Sequence, residues 1–172
     1  MLKGIIGAAA AMALAGCATV AADGGGGQAA GLQSISYETG RCFGACPVYR
    51  VTVNADGTGV FEGRRFTSVE GERAFTLTPD QFRAFAAQLA PVRPATGSVR
   101  YDPASCETVA TDLPGVDIEW RDTGAAPQQL YFYYGCDMEK NRAIAERLQA
   151  APKLLPIAEF ILAPGARPFT GK

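Results

Sequence analysis

The chain has 172 residues, of which 48% are hydrophobic, 19% charged and 9% aromatic, with a formal net charge of −1. These values describe one folded domain and exclude a disordered chain or a protein with several membrane spans. A net charge near zero argues against a nucleic-acid partner. The chain has no histidine, which removes the commonest general base and zinc ligand. We therefore expect no metal site, no cofactor and no enzymatic activity.

The first 16 residues have the pattern of a secretory signal peptide. Lys3 supplies a positive charge, and the apolar stretch at 4–14 is too short to span a hydrocarbon core of roughly 30 Å. Residues 14–17 read Leu-Ala-Gly-Cys, which resembles the bacterial lipobox. The resemblance implies cleavage before Cys17 and acylation of that residue with diacylglycerol and an amide-linked chain such as palmitate, which would anchor it in a lipid bilayer.

The segment after the predicted cleavage site indicates a flexible tether. Residues 17–31 include four consecutive glycines and few groups that could pack in a core. By the random-coil rule this tether reaches about 20 Å. We expect a domain facing the periplasm, and Ala18 after the cysteine favours the outer over the inner membrane.

Alternating apolar and polar residues predict six strands, and the Asp-Gly pair at 56–57 predicts a hairpin turn between the second and third. Thr78, Pro79 and Gln81 form a helix start with a capping box, and an apolar stripe follows. We expect Asp137 to cap a second helix at 138–150, and a short third helix to follow Pro156. Residues 95–115 are predicted to be mostly irregular and the tail 164–172 loose. The predicted strands are 34–38, 47–53, 59–63, 73–77, 116–121 and 128–134.

The order of these elements predicts an α+β fold. A hairpin followed by a helix occurs twice, at about 47–90 and 116–150. The simplest architecture is an antiparallel sheet with two to three helices packed on one face. We place this single domain at residues 32–163.

Four further cysteines, Cys42, Cys46, Cys106 and Cys136, suggest two disulfides in an exported domain, with three possible connectivities. We favour Cys42–Cys46, because Gly44 permits a tight ring, and Cys106–Cys136, because the second hairpin returns Cys136 towards Cys106. Two alternatives remain open: a zinc site formed by all four cysteines, and a redox-active Cys42–Cys46 pair.

Residues 41–49 read Arg-Cys-Phe-Gly-Ala-Cys-Pro-Val-Tyr, followed by alternating valines and the Asp-Gly turn. This stretch resembles an uncharacterised family of bacterial exported domains and lipoproteins marked by Cys-Phe-Gly-x-Cys-Pro-x-Tyr. Weaker marks of the same family lie at 111–114 and 135–136, so the resemblance covers roughly 33–150. It implies the limits of the domain and no activity.

Tyr131, Tyr133 and Arg121 are the candidate binding surface, since they lie on the second hairpin and could form an aromatic platform for a ligand. The leading hypothesis is a non-enzymatic envelope lipoprotein that binds a partner or supports the envelope. The alternative is a thiol–disulfide redox protein using Cys42 and Cys46. A carboxylate-only enzyme would need two acids facing a cleft, and the sequence identifies no such pair.

Overall fold

The computed structural model describes residues 31–162, so the predicted signal peptide, Cys17, most of the tether and the tail lie outside the described residues. None of the helices described is long and apolar enough to cross a membrane. The seven strands are β1 (Leu32–Thr39), β2 (Val48–Asn54), β3 (Thr58–Arg65), β4 (Gly71–Thr76), β5 (Ser98–Tyr101), β6 (Gly115–Asp122) and β7 (Gln128–Tyr133). The helices are α1 (Pro79–Leu89), α2 (Arg142–Ala150) and α3 (Ala158–Ile161), with 3₁₀ turns at Ala90–Val92 and Ala151–Leu154.

The strands form one sheet in the order β4-β3-β2-β1-β6-β7-β5. This confirms the α+β fold, but the sheet is mixed, because β5 runs parallel to β7 while every other pair is antiparallel. The region 95–115 was expected to be mostly irregular, and it contains β5. That strand has four residues, three of them exposed, so it lacks the alternation that reveals a half-buried strand.

The helices cover one face of the sheet and bury its apolar side chains. Ile35, Val51, Phe61 and Ile118 are fully buried there, on neighbouring strands β1, β2, β3 and β6. From α1, the apolar stripe contributes Phe82, Phe85 and Leu89 to the same core. Tyr37 in β1 donates a hydrogen bond to the Leu148 carbonyl oxygen of α2 at 3.1 Å, which ties the sheet to the helical layer.

The start of α1 confirms the sequence analysis, whereas the start of α2 corrects it. At α1, the Thr78 and Gln81 side chains form the expected capping box. Helix α2 begins at Arg142 rather than near residue 138, and Asp137 does not cap it. Instead the Asp137 carboxylate accepts backbone N–H bonds from Glu107 at 3.2 Å and Thr108 at 2.7 Å. The side chain is therefore used to join two distant segments.

Candidate functional site

The face of the sheet away from the helices, here called the open face, carries a row of polar side chains. Pairing across the sheet aligns one residue from each strand, and the row crosses all seven strands. In spatial order its members are Glu72, Glu62, Arg50, Glu38, Asp117, Tyr131 and Arg100.

Most charges of the open face are neutralised by neighbours within it. The Arg50 guanidinium pairs with the Glu38 carboxylate, with 2.6 Å between Nε and Oε2. Arg64 pairs with both Glu38 and Glu62. Asp117 makes no ion pair within residues 31–162, and partial desolvation and repulsion from Glu38 raise its pKa. The structure thus brings together Glu38 and Asp117, two carboxylates that sequence reasoning did not pair.

The three candidate binding residues lie on the open face, but not as one cluster. The Tyr131 ring is covered by the Arg100 guanidinium, 4.4 Å from the ring centroid. The Tyr133 hydroxyl donates to the Ala110 carbonyl oxygen at 2.9 Å. Arg121, near the end of β6, pairs with the Glu119 carboxylate of the same strand. Tyr133 lies on β7 opposite Gly115, the first residue of β6, so Arg121 and Tyr133 are at opposite ends of this strand pair. Both tyrosines are thus engaged in contacts within the domain.

A second region lies at the end of the sheet where β1 ends and β6 begins. Four connections meet there, at 40–47, 66–70, 102–114 and 134–141, and we call them the disulfide rim. Both disulfides lie in it, with Cα–Cα distances of 5.9 Å for Cys42–Cys46 and 5.4 Å for Cys106–Cys136. This is the pairing favoured from the sequence.

The backbone of the disulfide rim is held in unusual conformations. The non-glycine residues with positive φ in the described chain are Phe66 (56°), Asp112 (68°) and Asp137 (42°), and all three lie in the rim. Such conformations cost free energy and persist only where surrounding contacts enforce them. Here the Phe43 N–H donates to the Asp112 carbonyl oxygen at 3.1 Å, so the Cys42–Cys46 ring is fastened to the strained segment.

The disulfide rim also exposes apolar side chains to water. The exposed fractions are 86% for Phe43, 52% for Met138, 50% for Phe66 and 43% for Val109. Sequence reasoning did not select these residues. The available signal was the position of Phe43 in a five-residue ring, which is too small to bury an aromatic side chain.

All four cysteines of the rim are held in disulfides. The Sγ atoms of Cys106 and Cys136 and a carboxylate oxygen of Asp137 lie within 4.8 Å of one another, but the two sulfurs are bonded together and cannot act as thiolate ligands. Arg41 is the cation next to the Cys42–Cys46 ring in sequence. In sequence, the first helix after that ring is α1, which begins only at Pro79, so the ring does not open a helix whose dipole would stabilise a thiolate.

Comparison with protein families matches residues 33–152 to a domain of unknown function, DUF6438. The match covers more than half of the chain, and the protein belongs to this family. Comparison with curated proteins finds no match.

Proposed function

We propose that the protein is a lipoprotein of the bacterial cell envelope, and that its domain is a non-enzymatic binding module acting through the disulfide rim. The observation that carries this proposal is the exposure of Phe43 on a ring closed by Cys42 and Cys46. A large aromatic side chain held rigidly in water is the kind of group that anchors protein interfaces.

The anchoring part of the proposal rests on the sequence of residues 14–17. Acylated Cys17 would attach the protein to a lipid bilayer, with the domain facing the periplasm and Ala18 favouring the outer membrane. Two disulfides in so small a domain suit an oxidising compartment, which supports export.

The direction of β1 supports a role for the rim away from the membrane. The tether at 17–31 leads directly into β1, which begins at Leu32, and β1 ends at Thr39 beside the rim. Eight extended residues span roughly 26 Å. A domain tethered in this way would present the disulfide rim at the end farthest from its anchor, where a protein could reach it.

The anchor is tested by Cys17→Ser in the full chain. We expect mass spectrometry to find no acyl chains on the variant. The variant should also leave the membrane fraction or keep its signal peptide uncleaved. Ala18→Asp is the matched variant for sorting, and it should stay acylated while moving to the inner membrane. A wild-type protein without lipid would contradict the proposal.

The rim is tested with a photo-crosslinking amino acid at position 43 in cells. Position 55 is the control, because the Ala55 N–H donates to the Gln33 carbonyl oxygen at the tether end of the sheet. We expect a protein adduct from position 43 and none from position 55. No protein adduct from position 43 in the acylated wild-type background would overturn the assignment of the rim.

A further inference from the structure

The disulfide rim has two unlike parts. The first, here called the aromatic knob, consists of Arg41, Phe43 and Phe66 together with Arg65, the last residue of β3, which precedes the rim segment 66–70. The second, here called the acidic socket, is a cavity of about 420 Å³ lined by apolar and charged side chains. The lining residues that matter here are Glu107, Val109, Asp137, Met138, Glu139 and Lys140.

The aromatic knob is apolar and positively charged. Phe43 and Phe66 are exposed, and the Arg65 guanidinium lies 5.0 Å from the centroid of the Phe66 ring. Arg41 and Arg65 are both exposed and form no ion pair with any residue of 31–162. The ring itself, residues 42–46, contains no carboxylate.

The acidic socket has the opposite charge and its own exposed apolar surface. Val109 and Met138 are 43% and 52% exposed. Three carboxylates line the cavity, and two of them have a basic partner: Lys140 lies 3.2 Å from Glu107, and Arg142 lies 3.7 Å from Glu139. Asp137 makes no ion pair within residues 31–162, so the cavity keeps a net negative charge. Hydrogen bonds from the backbone of Thr108 and Glu107 lower the pKa of Asp137, which keeps that carboxylate charged at neutral pH.

The knob and the socket lie close together but do not fill one another. The Phe43 N–H bonds to the carbonyl oxygen of Asp112, and Ala110, two residues earlier, borders the socket. Phe43 nevertheless remains 86% exposed, so its own socket does not cover it. Two complementary surfaces on one molecule that cannot meet within it are suited to meet between two copies.

We propose that the acidic socket receives the aromatic knob of a second copy of this chain, in a two-fold symmetric dimer joined rim to rim. A two-fold axis makes both knob–socket contacts at once, because such an interface uses the same surface on each subunit. The apolar side chains cover one another, and the unpaired arginines face carboxylates. Confinement to one membrane surface raises the local concentration of the two copies. This dimer rests on the proposed role of the rim.

The test uses charge reversal in the full, membrane-anchored chain. One variant carries Arg41→Glu with Arg65→Glu, which makes the knob acidic; the other carries Glu107→Arg with Glu139→Arg, which makes the socket basic. Each variant expressed alone should lose at least 90% of the dimer crosslink from position 43, because its knob and socket then have the same charge. The two variants expressed together with different tags should recover the crosslink, because each knob again faces an oppositely charged socket.

The result that supports the dimer is a wild-type adduct of twice the chain's mass, whose crosslinked peptides join position 43 to 107–110 or 135–140. Lys153→Glu, a reversal at an exposed site in the 3₁₀ turn Ala151–Leu154, should leave it unchanged. Failure of the mixed variants to recover the adduct overturns the dimer and cannot be attributed to misfolding if each variant melts cooperatively. An adduct with a different protein overturns the dimer and leaves the proposed function standing, whereas no protein adduct overturns both.

Discussion

The open face and the disulfide rim are both accessible to solvent, and they are built in different ways. The open face carries charges that neutralise one another, as Arg64 does between Glu38 and Glu62. The rim exposes aromatic and aliphatic side chains, and two disulfides and a strained backbone hold it in place. Backbone strain and exposed apolar patches both cost free energy, and in natural proteins they are found mainly at functional sites. The comparison therefore favours the rim over the open face as a binding surface.

The comparison predicts that covalent bonds are the main source of stability in the rim. We expect Cys106→Ala with Cys136→Ala to destabilise the domain by about 3.5 kcal/mol, since that bond joins cysteines 30 positions apart in the sequence. The Cys42–Cys46 bond closes a much smaller ring, so the matched variant Cys42→Ala with Cys46→Ala should destabilise the domain by about 2 kcal/mol. Urea unfolding monitored by circular dichroism measures both. Equal losses would mean that loop length does not set the stability of the rim.

A smaller effect is expected at Asp137, the carboxylate that joins two segments of the rim. Hydrogen bonds from Thr108 and Glu107 lower its pKa in the folded state. Its contribution is therefore present above the unfolded value of about 3.9 and is lost as the pH falls through the lower folded value. Asp137→Asn, which still tolerates positive φ, should unfold at lower urea concentration at pH 7. The difference from the wild type should shrink below pH 3, and a difference independent of pH would contradict this assignment.

Removing a carboxylate from the open face should destabilise the domain less than these changes in the rim. Glu38→Gln removes the carboxylate that Arg50 and Arg64 share. Because these side chains are partly exposed, we expect a loss of about 0.5–1 kcal/mol, reduced further at 1 M salt. Glu159→Gln, at an exposed site in α3, is the control and should have no effect. A loss as large as that of the Cys106–Cys136 bond would erase the contrast between the two regions.

Local patterns predicted much of the fold and little of the candidate site. The capping box at Thr78 and the Asp-Gly turn at 56–57 depend on neighbouring residues, so the sequence alone reveals them. Strand β5 and the real start of α2 depend on partners far along the chain: β7 for the first, and the Asp137 contact with 107–108 for the second. The exposure of Phe43 has no periodic pattern to mark it, and the short spacing of Cys42 and Cys46 was the only local signal for it.

The smallest predicted effect is a gain in stability rather than a loss. It tests whether every charge on the open face is neutralised by a neighbour. Asp117 has no ion-pair partner within residues 31–162, and desolvation and repulsion from Glu38 raise its folded pKa. A raised pKa means that its contribution to stability is complete below the unfolded value of about 3.9 and is lost as the pH rises through the folded value. At pH 7 the charged group therefore opposes folding. Asp117→Asn should stabilise the domain by a few tenths of a kcal/mol at pH 7.

The control for Asp117 is Glu119→Gln, two residues along the same strand. The Glu119 carboxylate pairs with Arg121 and accepts a hydrogen bond from Gln129 at 2.9 Å, so its removal should not stabilise the domain. Thermal unfolding at pH 7 and pH 3.5 compares the two variants with the wild type. The gain from Asp117→Asn should shrink at the lower pH, because the raised pKa makes the folded wild-type carboxyl take up a proton more readily than the unfolded one. If Asp117→Asn instead destabilises the domain at pH 7, then the charged Asp117 has a stabilising partner in solution, and the open face is a binding surface as well.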